Sequence, residues 1–194
     1  MGRRAILIGA TLALVCAIAL IVRVRGDLRA HAPDLASVDL APVLVFADPR
    51  TCRPSPQLER LVAGLLVVDE RTGEPRAGAP VTLPGFAEPL HPRLRHEFGI
   101  GRDAMGFDPV AILDLRGRWH GLNVVGLRTE DGSRLDIRFS DDALRVRQAL
   151  VSAGFPLPGV GQSSYPGPGA SPGSRTMGIY SHRGDGASLL CTSY

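Results

Sequence analysis

The chain carries five histidines and three cysteines, the residue types most able to bind a metal or act as a nucleophile. His91 and His96 form the tightest histidine pair, within His91-Pro92-Arg93-Leu94-Arg95-His96-Glu97. A metal site needs imidazoles that converge together with further ligands. This spacing puts the two rings on different faces of a helix, and Pro92 argues against a helix at all. The pair therefore reads as loop histidines, and His31, His120 and His182 stand alone in sequence. Cys52 would need a base and an activating environment to act as a nucleophile, and the sequence places neither beside it. Asp141 and Asp142 are adjacent, so on a helix their carboxylates diverge where paired-carboxylate catalysis needs them to converge. Arg25-Gly26-Asp27 and Arg183-Gly184-Asp185 match an integrin-recognition tripeptide, which a chain this rich in glycine and arginine produces by coincidence. No catalytic, cofactor-binding or metal set is expected.

Charge combined with an aromatic is the more informative signal. Leu122–Thr129 and Ser133–Phe139 read as the arms of a β-hairpin. A two-residue Asp131-Gly132 turn would set Leu127 against Asp136. A three-residue loop, Glu130-Asp131-Gly132, instead pairs Leu127 with Leu135 and Val125 with Ile137 on one apolar face. That register is preferred, and it puts Arg128 directly opposite Arg134, with Asp136 and Arg138 beyond. Like charges facing one another cost stability, so Glu130 and Asp136, or an anion, must neutralise them. Arg116, Arg118, Trp119 and His120 crowd one turn near Arg138. An aromatic among arginines suits an interface or a headgroup contact. The expected anion or partner contact is thus Arg116, Arg118, Trp119, His120, Arg128, Arg134 and Arg138.

Several elements must position these residues. Val43–Ala47 reads as a strand, Gln57–Gly64 as a short helix, and Leu65–Val68 with Val81–Leu83 as a strand, long turn, strand unit. The proline- and glycine-rich stretch 84–109 is expected to be irregular, and Val110–Leu115 to be a strand. Ser140 is expected to cap a helix whose stripe is Ala143, Val146, Leu150 and Ala153, stopped by Gly154 and resting on the hairpin's apolar face. Beyond it, 159–174 is too poor in apolar residues to fold alone. The closing residues return to the domain as a strand if Cys191 bonds Cys52, the two cysteines outside the N-terminal apolar run.

Residues 64–85, through Asp69, Thr72-Gly73-x-Pro75, Gly78-Ala79-x-Val81 and Gly85, resemble the opening of carboxypeptidase-regulatory-like β-sandwich domains. The resemblance covers about a ninth of the chain and implies a binding or spacer module. Strands leading into a capping helix also look like the close of pleckstrin-homology-like domains, a topological likeness without a motif.

Ala5–Val22 carries no charge and no proline, and as a helix it would reach about 27 Å, close to a bilayer's hydrocarbon thickness. Arg3 and Arg4 precede it; Arg23, Arg25 and Arg29 follow. It reads as an uncleaved anchor through residues 5–22, with a cleaved signal ending at Ala17-Ile18-Ala19 as the rival reading. The expected organisation is an anchor over 1–24, a stalk over 25–42, a soluble domain over 43–157 and a Gly/Pro/Ser-rich tail over 158–194. The fold class is α+β: an N-terminal transmembrane helix, then one small β-rich domain closed by a C-terminal amphipathic helix. The flanking arginines slightly favour a cytoplasmic domain. The short basic N-terminus and the paired cysteines favour export, so a single-pass inner-membrane protein with an extracytoplasmic domain is expected.

All 22 basic residues are arginine, and a net charge of +3 with interspersed acids gives no nucleic-acid footprint. The functional expectation is a non-enzymatic envelope module that binds a protein or an anionic envelope component. An anchored hydrolase or metal-dependent enzyme using His91, His96 or His120 is the alternative, and a cytoplasm-facing lipid or protein adaptor the second.

Overall fold

A row of five apolar side chains fixes the architecture. Leu113, Leu127, Ile137, Leu189 and Ile179 sit opposite one another on successive strands, and none of the five is exposed to solvent. The computed structural model describes residues 38–100, 105–130, 134–164, 175–182 and 186–193, and these described residues are mostly β-sheet with two α-helices. The strands are β1 (Phe46–Asp48), β2 (Arg53–Pro54), β3 (Leu66–Val68), β4 (Pro75–Ala77), β5 (Arg93–Ile100), β6 (Met105–Leu113), β7 (Gly117–Trp119), β8 (Leu122–Thr129), β9 (Arg134–Phe139), β10 (Ser163–Ser164), β11 (Arg175–Ser181) and β12 (Ala187–Ser193). Helix α1 spans Pro56–Ala63 and α2 spans Ala143–Ser152. The main sheet runs β10-β11-β12-β9-β8-β6-β5, antiparallel throughout, with β7 pairing the start of β8 beside β6. Strands β1 with β2, and β3 with β4, make two separate ribbons.

The expected class, an α+β domain behind a transmembrane helix and ahead of a tail, is corrected. Sheet predominates, and α2 does not close the domain. After it, β11 and β12 bring the last residues back, and β12 inserts beside β9. The physical reason is alternation: Ala187, Leu189 and Cys191 all face the core and are fully buried, so this short segment has an apolar face to hide. Among the described residues no helix is long and apolar enough to cross a membrane. The segment expected to do so, 5–22, lies outside the described residues.

The irregular excursion expected over 84–109 is also corrected. It contains β5 and most of β6, with Pro109 opposite His96 in the ladder. The first strand starts at Phe46 rather than Val43, because Val43 and Leu44 are buried in a turn instead. Leu66–Val68 pairs with Pro75–Ala77, not with Val81–Leu83, around a turn in which the Asp69 side chain accepts from the amides of Arg71 and Thr72. The motif residues shared with β-sandwich domains thus build a local ribbon, and no second large sheet is found among the described residues.

Helix α2 differs from the expectation in its N-cap and in what its stripe rests on. Asp142, not Ser140, is its N-cap, accepting from the amides of Leu144 and Arg145 at 3.1 and 3.0 Å. Asp141 turns inward and accepts from the Asn123 backbone amide at 2.5 Å, while Arg145 pairs with it at 3.2 Å. Ala143, Val146 and Leu150 are the buried stripe, and Gly154 ends the helix at φ 96°. The stripe rests against β11 and β12 rather than on the β8–β9 hairpin. Helix α1 approaches that hairpin on β8, and around Trp119 Phe46, Phe139 and Phe155 form an aromatic cluster. Leu40 completes this core, and Gly117 lies so close that a Cβ there would meet Leu40 Cγ at 2.7 Å.

A disulfide pair joins the two halves of the chain. Cys52 ends a short 3-10 turn and Cys191 lies on β12, with Cα atoms 5.9 Å apart across 139 residues of sequence. Both side chains are fully buried.

Candidate functional site

The face of the sheet opposite the core carries the charged groups. Two adjacent rungs cross it. One runs Arg128, Asp136, Leu190, Gly178; the other Gly126, Arg138, Ser188, Tyr180. Over them lies a cavity of about 490 Å³, lined by Arg128, Arg134, Asp136, Arg138, Tyr180, Ser188 and Leu190 with Glu97 and His182.

The register explains the electrostatics. Arg128 stands opposite Asp136, so the two strands pair two residues out of the expected register. An offset of two keeps the same residues on the same face, so Leu127 and Ile137 remain buried and the apolar pattern cannot tell the registers apart. Charge can: the observed register replaces an arginine facing an arginine with an ion pair. Arg128 Nη1 lies 3.5 Å from Asp136, and its Nη2 lies 2.9 Å from both Glu97 and Glu130. Arg134 pairs with Glu130 at 2.6 Å. The Arg138 side chain, half-buried, makes no hydrogen bond or ion pair among the described residues.

Asp136 is the deepest charged group of the site, 6 % exposed. Desolvation pushes its pKa up, against a hydrogen bond from Ser188 and the positive charges of Arg128, His182 and Arg134. Its Oδ1 has no hydrogen-bond partner among the described residues. The Ser188 hydroxyl, itself buried, also lies 2.5 Å from His182 Nε2. The Tyr180 hydroxyl is hydrogen-bonded to Ser163. Ser188 therefore stands between His182 and Asp136, linking an exposed imidazole to a buried carboxylate. A serine nucleophile needs the other order, with the carboxylate orienting the histidine.

Of the residues expected to form a contact, the structure brings Arg128, Arg134 and Arg138 into one cavity. Arg116, Arg118, Trp119 and His120 do not line it. Trp119 is 3 % exposed and belongs to the core. His120 and Gly121 form a two-residue hairpin turn with φ of 50° and 76°, closed by Arg118 donating to the Gly121 carbonyl at 3.0 Å. Partial burial lowers the His120 pKa. Tyr180, Ser188 and Leu190 were beyond sequence reasoning because they lie on strands added after α2, and His182 because it directly follows one of them. No cluster of His, Cys, Asp or Glu able to hold a metal is found among the described residues.

The described residues thus build an antiparallel sheet, cored on one face and carrying a polar cavity on the other. No family model matches the chain, and neither a curated protein nor a solved structure proves similar to it.

Proposed function

We propose that this is an exported, non-enzymatic binding module, and that it holds the anionic group of an envelope component in the cavity on the open face of its sheet. One observation carries the reading. Arg138 faces that cavity without a counter-charge among the described residues, whereas Arg128 and Arg134 are already paired with carboxylates. An unpaired guanidinium held at a half-buried site attracts a carboxylate or phosphate more strongly than a solvated one. The disulfide pair supports residence in an oxidising compartment outside the cytoplasm. A thermal-shift titration of the purified protein with acetate and phosphate tests the reading. Stabilisation by either anion that disappears in Arg138→Gln supports it; a variant stabilised as much as the wild type overturns it.

The Ser188–His182 contact favours a hydrolase as the second reading. Ser188 is only 2 % exposed and Asp136 bonds to it rather than to the histidine, which weighs against that assignment. Turnover of activated esters that Ser188→Ala abolishes would establish the hydrolase instead.

A further inference from the structure

The cavity contains two unfilled valences of opposite kind. Arg138 offers a guanidinium without a counter-charge among the described residues, and Asp136 offers an acceptor oxygen, Oδ1, without a donor. The two residues are next but one on β9, so their side chains share the outer face about two residue rises apart, roughly 7 Å. A ligand that fills both must present an acid and a hydrogen-bond donor at that separation.

The donor's charge can be argued. Asp136 already has Arg128 at 3.5 Å and feels Arg134 and His182. An ammonium beside Oδ1 would have to share that carboxylate with the Arg128 guanidinium and be repelled by it. A hydroxyl satisfies the same acceptor without that repulsion. The remaining wall is Tyr180 and Leu190, an aromatic and an apolar side chain neighbouring the charged ones. Such a wall suits the C–H face of a ring, and about 490 Å³ exceeds what a small hydroxy acid needs.

We propose that the cavity is a sugar-acid site: a uronate-type residue places its carboxylate on Arg138, a ring hydroxyl donates to Asp136 Oδ1, and the ring lies against Tyr180. This rests on the reading of the open-face cavity as a binding site and names the ligand it takes. It makes the anionic envelope component a polysaccharide rather than a lipid headgroup or a protein.

The test is a set of titrations of the full-length protein, followed by amide chemical shifts and by calorimetry, with glucuronate, glucose, malate and glycine as probes. Glucuronate is expected to bind saturably, with shifts centred on Arg138, Ser188 and Tyr180. Glucose, which lacks the acid, should bind at least about tenfold more weakly, as should glucuronate to Arg138→Gln and to Asp136→Asn. The wild-type shift map needs no variant, so a poorly folded substitution leaves the proposal open to refutation. Malate binding as tightly as glucuronate, and lost in Arg138→Gln, would overturn the sugar-acid assignment while leaving the anion site standing. Glycine binding best would overturn it in favour of an amino-acid site. No saturable shift at Arg138 with any acid would overturn both the assignment and the binding-module reading beneath it.

Discussion

Reduction of the Cys52–Cys191 pair should be the most damaging covalent change this domain can suffer. The bond closes a loop of 139 residues of sequence. On the chain-entropy model a loop of that length restricts the unfolded chain by about 17 cal/mol/K, which is about 5 kcal/mol at room temperature. The bond also pins β12, a strand with neighbours on both sides, to the turn that precedes α1. For a domain of this size, 5 kcal/mol corresponds to a fall in melting temperature of roughly 10–20 °C. The assay is thermal and urea unfolding of the oxidised protein and of protein unfolded, reduced and refolded under a phosphine reductant. The double variant Cys52→Ala/Cys191→Ala serves as a control that reductant should leave unmoved. Oxidised and reduced proteins unfolding within about 1 kcal/mol of each other would refute the reasoning, since β12 would then be held by the sheet alone. Alkylation of both thiols in native protein without reduction would refute the pairing itself.

Three further outcomes follow from the packing. Asp142→Ala should cost about 1 kcal/mol as a lost helix cap, and Asp141→Ala about 2–3 kcal/mol, because it strands the part-buried Asn123 amide and breaks the Arg145 pair; equal losses in urea unfolding would contradict the assignment of Asp142 as the cap. Gly117→Ala should destabilise by about 2 kcal/mol or more, since its Cβ would meet the Val38 carbonyl oxygen at 2.5 Å, and rescue by shortening Leu40 to Ala is not expected because that oxygen remains. Burial raises the Asp136 pKa, so the folded domain holds that proton more tightly than the unfolded chain. The stability it contributes is present below the ordinary carboxylate range and is lost as pH rises through the folded value. Wild type minus Asp136→Asn stability should therefore become more favourable as pH falls from about 7 to about 4, with the other carboxylates, Asp48 and Asp69 included, common to both proteins. A flat difference would show that Asp136 is not desolvated.

Local signals in the sequence located much of the secondary structure. The stripe of α2, its stop at Gly154, the short helix near residue 57 and the existence of the β8–β9 hairpin each follow from spacing, capping and turn chemistry within about a dozen residues. Parity was legible near the loop, where alternation set Leu127 and Ile137 inward, but not past the irregularity between Val124 and Gly126, which puts Val124 in the core in place of the expected Val125. Register was not, because two registers offset by two bury the same residues, and only the facing charges of Arg128 and Asp136 separate them. The site was half legible for the same reason. Arg128, Arg134 and Arg138 sit on one hairpin and could be grouped from local pairing. Tyr180, His182, Ser188 and Leu190 join them only because β12 pairs with β9 after the chain has passed through α2. Trp119 shows the converse: beside arginines in sequence it suggests a contact, yet its ring stacks against Phe46 in the core.

The sequence by itself determined where apolar faces must exist, where helices begin and end, and which cysteines were free to pair. Tertiary structure alone decided which strands became neighbours, and hence that a buried carboxylate, a histidine-bonded serine and an arginine with no counter-charge among the described residues share one cavity. The reason is the range of the interactions: turns, caps and periodicity act over a few residues, whereas strand order is settled by burying the whole apolar face of the sheet at once.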